Sequence, residues 1–166
     1  HCTSLNDIYI PKSLEVAGGY TFWGMRDFGA FDGCSNLKNI TFENGTNKIP
    51  TFLLQDCNGI EEINIPEGIT DIGNWAFKNC SNLKKIIIPE TVEVIGKYVF
   101  EACTSLEEIV LPENVYEIGM GLFYNCSSLK SVTLSDRITG INEYTFYNCK
   151  NLNNTNIPKS ASYIDK

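Results

Sequence analysis

Cysteine is the residue type in this chain with the most chemistry open to it. Seven occur among 166 residues, beside a single histidine at position 1. Thiols can pair as disulfides, ligate a metal or act as nucleophiles, and spacing decides among these. Cys34, Cys57, Cys80, Cys103, Cys126 and Cys149 stand 23 residues apart throughout. Residues at one phase of a fixed period line up as a column, one per coil of a stacked chain. Neighbouring coils lie about 4.8 Å apart. A disulfide tolerates that separation but needs its two Cβ groups turned toward each other, and in a column they point the same way. A zinc site needs convergent ligands at short spacing. The column is therefore expected to hold buried, reduced thiols that act as small hydrophobes. His1 is terminal, so no histidine triad or acid–base pair is available. Neither a phosphate loop nor a dinucleotide fingerprint is present. The sequence reads as non-enzymatic, with no cofactor and no metal.

The chemistry that remains is recognition. Within each I-x-I strand the middle residue faces out, giving the column Tyr9, Thr41, Asn64, Ile87, Val110, Thr133 and Asn156. It is uncharged throughout, with Ile87 and Val110 at its centre. Plain β-propensity on an exposed sheet accounts for Val, Ile and Thr. The functional alternative is a binding strip on the concave sheet, where solenoids usually bind. The candidate residues are Asn64, Ile87, Val110 and Thr133, with Glu62, Lys85 and Glu108 as a charged rim. One residue earlier, Lys38, Glu61, Lys84, Glu107 and Lys130 alternate in sign from coil to coil. That pattern favours one register, because a slip would oppose like charges. Trp75, Tyr98 and Tyr144 form another outward column, interrupted by Gly121.

These positions need a scaffold, and the period supplies it. Three residues after each cysteine comes Leu37, Ile60, Leu83, Leu106, Leu129 or Leu152, and then Ile40, Ile63, Ile86, Ile109 or Val132. Phe42, Ile65, Ile88, Leu111 and Leu134 complete L-x-x-I-x-I, a strand pattern. Pro66, Pro89 and Pro112 follow, at the strand limit where a missing N–H is tolerated. Apolar pairs such as Val92 and Ile95 suggest a short extended or 3₁₀ stretch on another side. Gly73, Gly96 and Gly119, with Asn142 in the next unit, suggest a positive-φ turn, which Pro50 in the second unit could not adopt. Phe77, Phe100, Phe123 and Phe146 each precede a cysteine by three residues. That spacing shares a helical face and predicts a helical or 3₁₀ turn.

Two regions depart from the pattern. Cys2 and Cys34 are 32 residues apart, nine more than the period. The surplus lies within residues 19–30 and carries Tyr20, Phe22, Trp23, Met25 and Phe28. These rings could pack over the flank of the first coils or tip a ligand loop, since insertions often carry function. In the second unit Glu43-Asn44-Gly45 replaces the proline, which predicts a looser turn, and Thr46 replaces an apolar residue. Thr155 stands at a core position of the last unit, 149–166.

The pattern L-x-x-I-x-I-P-x-x-V-x-x-I-G-x-x-A-F-x-x-C resembles the BspA-like leucine-rich repeats, most closely from Ile60 to Cys149. Together with the period, it points to an α/β solenoid of about seven coils, with one parallel β-strand per coil on the concave face. Residues 1–166 read as one domain, excised from a longer array. The family is found on bacterial surface proteins and on protist surface proteins. The resemblance implies a cell-surface or extracellular module that binds a protein or glycan in adhesion or host interaction. A structural spacer without a ligand of its own is the alternative. A net charge of −7 with no basic stripe argues against nucleic acid, and no apolar run reaches membrane-span length. The expected state is a monomer, with weak end-to-end association through uncovered terminal strands.

Overall fold

The computed structural model describes residues 3–14, 18–19 and 28–165. Apolar residues at fixed phases of the period turn inward and stack into one core from Ile8 to Ile141. Leu83, Leu106 and Leu129 feed it from the front, and Phe77, Phe100 and Phe123 from the opposite side; all six are fully buried. The phenylalanine rings lie face to face, with centroids 5.7 to 5.8 Å apart from Phe77 through Phe100 to Phe123.

The front side carries strands Asp7–Ile10, Asn39–Phe42, Glu62–Asn64, Lys85–Ile87, Glu108–Val110, Ser131–Thr133 and Asn154–Thr155. Paired neighbours are parallel and in register: Glu62 stands beside Lys85, Asn64 beside Ile87, and Val110 beside Thr133. The six strands from Asn39–Phe42 to Asn154–Thr155 bound five regular turns, fewer than the seven coils expected. On the second side, two-residue strands form another parallel ladder: Lys48–Ile49, Asp71–Ile72, Val94–Ile95 and Glu117–Ile118. This is the extended stretch expected after the prolines.

The third side is not helical. Among the described residues no helix is formed. Alternate peptide units point in different directions instead. The N–H groups of Ala76, Lys78 and Cys80 close turns within their own coil, onto the carbonyls of Gly73, Trp75 and Phe77. Those of Trp75, Phe77 and Asn79 reach the next coil, at Lys97, Val99 and Glu101, over 2.7 to 3.1 Å. A helix would satisfy all of these groups internally and leave the coils unlinked on this side. The alternation demands positive φ at Trp75 (53°) and Asn79 (56°), repeated at Tyr98 and Ala102.

Positive φ therefore falls two residues after the expected glycines, at Trp75, Tyr98, Gly121 and Tyr144, and not at Gly73, Gly96, Gly119 or Asn142. The glycines meet a different constraint. A Cβ on Gly119 would stand 2.5 Å from Lys97 N and 2.6 Å from the Gly96 carbonyl carbon; one on Gly73 would stand 2.5 Å from Thr51 N. The backbones of successive coils touch there, and a side chain has no room. Pro50 sits in the same phase without conflict, because φ is not positive.

The second unit is not looser at its turn. Thr46 N–H closes onto Glu43 O at 3.0 Å, whereas the regular Ile69-to-Pro66 bond measures 3.5 Å. Thr46 is buried, with its hydroxyl donating to Glu43 O at 2.7 Å. The irregularity shows in the front ladder. Strands Asn39–Phe42 and Glu62–Asn64 are unpaired, and so are Lys85–Ile87 and Glu108–Val110. At the second break the other ladder continues, with Val94–Ile95 paired to Glu117–Ile118. In the first unit Gly18–Gly19 pairs antiparallel with Phe28–Gly29. Thr155, expected in the core, is exposed.

Candidate binding surface

The outward strip lies where the alternation of the strands puts it. Asn64, Ile87, Val110 and Thr133 are all exposed. Ile87 keeps 49% and Val110 67% of its surface open to solvent. The rim residues Glu62, Lys85 and Glu108 are exposed beside them.

The break in the front ladder lies between these two apolar residues. The strand bearing Ile87 pairs backward with Glu62–Asn64, and the strand bearing Val110 pairs forward with Ser131–Thr133. Between them opens a groove of about 890 Å³, lined by Lys84, Lys85, Ile87, Glu107, Glu108 and Val110 among others. Ile86, which faces the core at the break, is only partly buried, while its counterparts Ile63 and Ile109 are buried. Strand edges at such a break carry N–H and C=O groups that no ladder satisfies.

The alternating charges pair in twos, on either side of the break. Lys84 donates to Glu61 at 2.7 Å, and Lys130 to Glu107 at the same distance. The hydrogen bond from Lys84 holds the Glu61 carboxyl below its usual range, and that carboxylate raises Lys84. No ion pair among the described residues crosses from Lys84 to Glu107 or from Lys85 to Glu108. The sequence shows the sign alternation; it does not show that the break groups the charges into pairs.

The cysteine column lies behind this surface. Cys34 is buried in this column; Cys57, Cys80, Cys103 and Cys126 are buried free thiols, and Cys149 is a half-buried one. Each of the last five donates to a carbonyl 26 residues back: Cys57 to Phe31, Cys80 to Leu54, Cys103 to Phe77, Cys126 to Phe100 and Cys149 to Phe123, over 2.9 to 3.2 Å. Burial pushes Cys80 up to about 12 and Cys149 to about 11, and lifts Cys103 well above its ordinary value. Thiols held protonated in this way are poor nucleophiles. Phase alone predicted their burial but not the hydrogen bond to the preceding coil.

The aromatic column is less exposed than the sequence suggests. Phe52, Trp75 and Tyr98 stack with centroids 5.1 and 5.9 Å apart and planes within 12°. Trp75 and Tyr98 are half-buried, and Tyr144 is exposed as expected. The Tyr98 ring fills the space above Gly121, where a Cβ would overlap it. Tyr124 then carries the column past that gap, edge-on to Tyr98 at 6.0 Å and stacked on Tyr147 at 4.8 Å. Of the inserted-segment candidates, Tyr20, Phe22, Trp23 and Met25 lie outside the described residues, and Phe28 enters only through its backbone pairing.

A family model described as the BspA-type leucine-rich repeat region matches residues 26–109 and 81–166, in six copies. This chain belongs to the BspA-type leucine-rich repeat family. Among solved structures, this BspA-type array is similar to a leucine-rich repeat protein of T. pallidum. Identity is 28% and the TM-score 0.77, over 96% of this chain and 67% of that one. A leucine-rich cell surface protein of Faecalibacterium prausnitzii shares the fold at 24% identity and a TM-score of 0.69, over 92% of this chain and 48% of that one. A leucine-rich repeat protein of Eubacterium ventriosum follows at 20% and 0.55, over 98% and 57%. The BspA-type array thus spans about half to two thirds of these proteins. No curated protein matches it.

Proposed function

We propose that this BspA-type array is a non-catalytic binding module of a cell-surface protein, and that its front strip receives a protein or glycan. The observation that carries this reading is the exposed pair Ile87 and Val110, set over a groove at the break of the front ladder. β-propensity accounts for Ile and Val on exposed strands, but not for their place on either side of unpaired strand edges, where apolar surface and free backbone groups together suit a partner. Each regular feature elsewhere, from the thiol bonds to the stacked rings, serves coil-to-coil cohesion; at the break the front ladder alone is interrupted, while the other sides stay linked. The surface setting is supported by the shared fold of the Faecalibacterium cell surface protein. The uncharged strip suits a partner without strong charge, and the flanking Lys84, Lys85, Glu107 and Glu108 would form a polar rim.

The test is retention of the purified protein on an array of host matrix proteins and glycans. Saturable binding to a member of the array is expected. If nothing on the array is retained, the chain acts as a spacer that holds other domains away from the surface.

A further inference from the structure

The geometry points to a second copy of this chain as a partner of the front strip. This rests on the reading of that strip as a binding surface. The break between Lys85–Ile87 and Glu108–Val110 is a centre about which the front face is antisymmetric in charge, save at Glu62 and its mirror position Ser131, and symmetric in polarity. Read coil by coil, the outer column runs Glu61, Lys84, break, Glu107, Lys130; the next runs Glu62, Lys85, break, Glu108, Ser131; the strip runs Asn64, Ile87, break, Val110, Thr133.

Consider a two-fold axis along the strand direction, in the plane of the face, midway across the break. It turns a second copy over onto the first with the order of its coils reversed. Each column then lies on itself, and each coil meets its mirror position. Lys84 meets Glu107 of the other copy, Glu61 meets Lys130, Lys85 meets Glu108, Ile87 meets Val110, and Asn64 meets Thr133. Every charged contact except that of Glu62, which faces the Ser131 hydroxyl, joins opposite signs, the apolar pair covers itself, and the amide faces a hydroxyl. A two-fold interface needs this reciprocal match, in which one residue contacts a second and the second contacts the first. The ion pairs already present strengthen it: Lys84–Glu61 in one copy would lie over Glu107–Lys130 in the other. That places four charges in a square of alternating sign. Lys85 and Glu108 take no ion-pair partner among the described residues, so the contact would give each its first.

The face is small. Four coils at about 4.8 Å each give a patch well below the roughly 800 Å² per partner of a stable complex. The net charge of −7 on each copy also opposes approach, although salt confines that repulsion to about 8 Å at physiological strength. The expected state is therefore a weak, reversible dimer, suited to arrays held at high local concentration on a surface.

Charge exchange tests the pairing. Lys85→Glu sets two carboxylates against each other at both symmetric contacts, and Glu108→Lys sets two ammonium groups there. Both positions are exposed, so far-UV circular dichroism should match the unaltered protein. In sedimentation velocity of concentrated solutions, the unaltered protein should show a dimer. Each single variant should lose self-association by about tenfold or more. An equal mixture of the two variants should recover it, and so should the chain carrying both substitutions. The pairing is overturned if the unaltered protein stays monomeric, if single variants associate as well as it does, or if neither the mixture nor the double variant recovers. Any of these results, obtained with a protein that still binds a member of the array, removes the self-pairing and leaves the binding reading intact.

Discussion

The thiol of Cys103 donates to the carbonyl oxygen of Phe77 at 3.2 Å, and the same oxygen accepts the N–H of Cys80 at 3.1 Å. One carbonyl thus joins a turn in its own coil to the side chain of the next. Truncating Cys103 removes the second bond and opens a small gap in a fully buried column. Cys103→Ala is expected to cost about 1–3 kcal/mol. Cys103→Ser, which keeps a donor in place, should cost less. Chemical denaturation of the two variants checks the order, and equal losses would mean that the hydrogen bond contributes nothing.

Alkaline pH should unfold the protein through the same column. Burial raises the folded-state values of Cys80 to about 12 and Cys149 to about 11 from an ordinary 9.0. Above pH 9 the unfolded chain releases protons that the folded chain retains, so stability falls as pH rises. It is fully present below 9 and lost progressively toward 12. Thermal melts from pH 8 to 11 should show that decline, and Cys80→Ala should flatten it. Under native conditions Cys149, half-buried, should alkylate before Cys80, with the order read by peptide mass spectrometry.

Phe100 and Tyr98 separate the core from its flank. Phe100 is fully buried between Phe77 and Phe123, and Phe100→Ala should cost about 3–5 kcal/mol. Tyr98 is half-buried but stacked on Trp75 at 5.9 Å. Tyr98→Ala should cost less, yet more than an isolated surface ring would, because a stacked pair adds about 0.5–1.5 kcal/mol beyond its area. Denaturant midpoints measure both.

Gly119→Ala tests the close approach of successive coils. The new Cβ would meet backbone atoms of Lys97 and Gly96 that cannot swing aside, and a loss of about 1–3 kcal/mol is expected. Gly68→Ala gives the contrast. Its φ is +93°, and only Thr46 O lies near the added Cβ, at 4.0 Å. The penalty there should be the left-handed backbone alone, about 1–2 kcal/mol.

The strands, the inward columns and the outward strip were legible because they follow from phase, and a 23-residue period states phase directly. The conformation of the third side was not. Phe at i and Cys at i+3 fit a helical face and equally fit linked turns, and the choice rests on whether N–H groups bond within a coil or across to the next. Glycine at 73, 96 and 119 was open to the same ambiguity. A small residue answers to positive φ or to close approach, and Asn142 in the same phase favoured the wrong one. Trp75 and Tyr98 hide their positive φ behind large rings, whose stacking offsets the backbone cost. The break between Lys85–Ile87 and Glu108–Val110 has no sequence mark, since both units are regular.

The most direct measurement replaces Ile87 and Val110 together with lysine. Both side chains are exposed, so the thermal midpoint should match that of the unaltered protein. Binding to any member of the matrix and glycan array that the unaltered protein retains should be lost, because two charges would be buried against the partner. A double variant that keeps both its midpoint and its binding would contradict the assignment of the front strip as the binding surface.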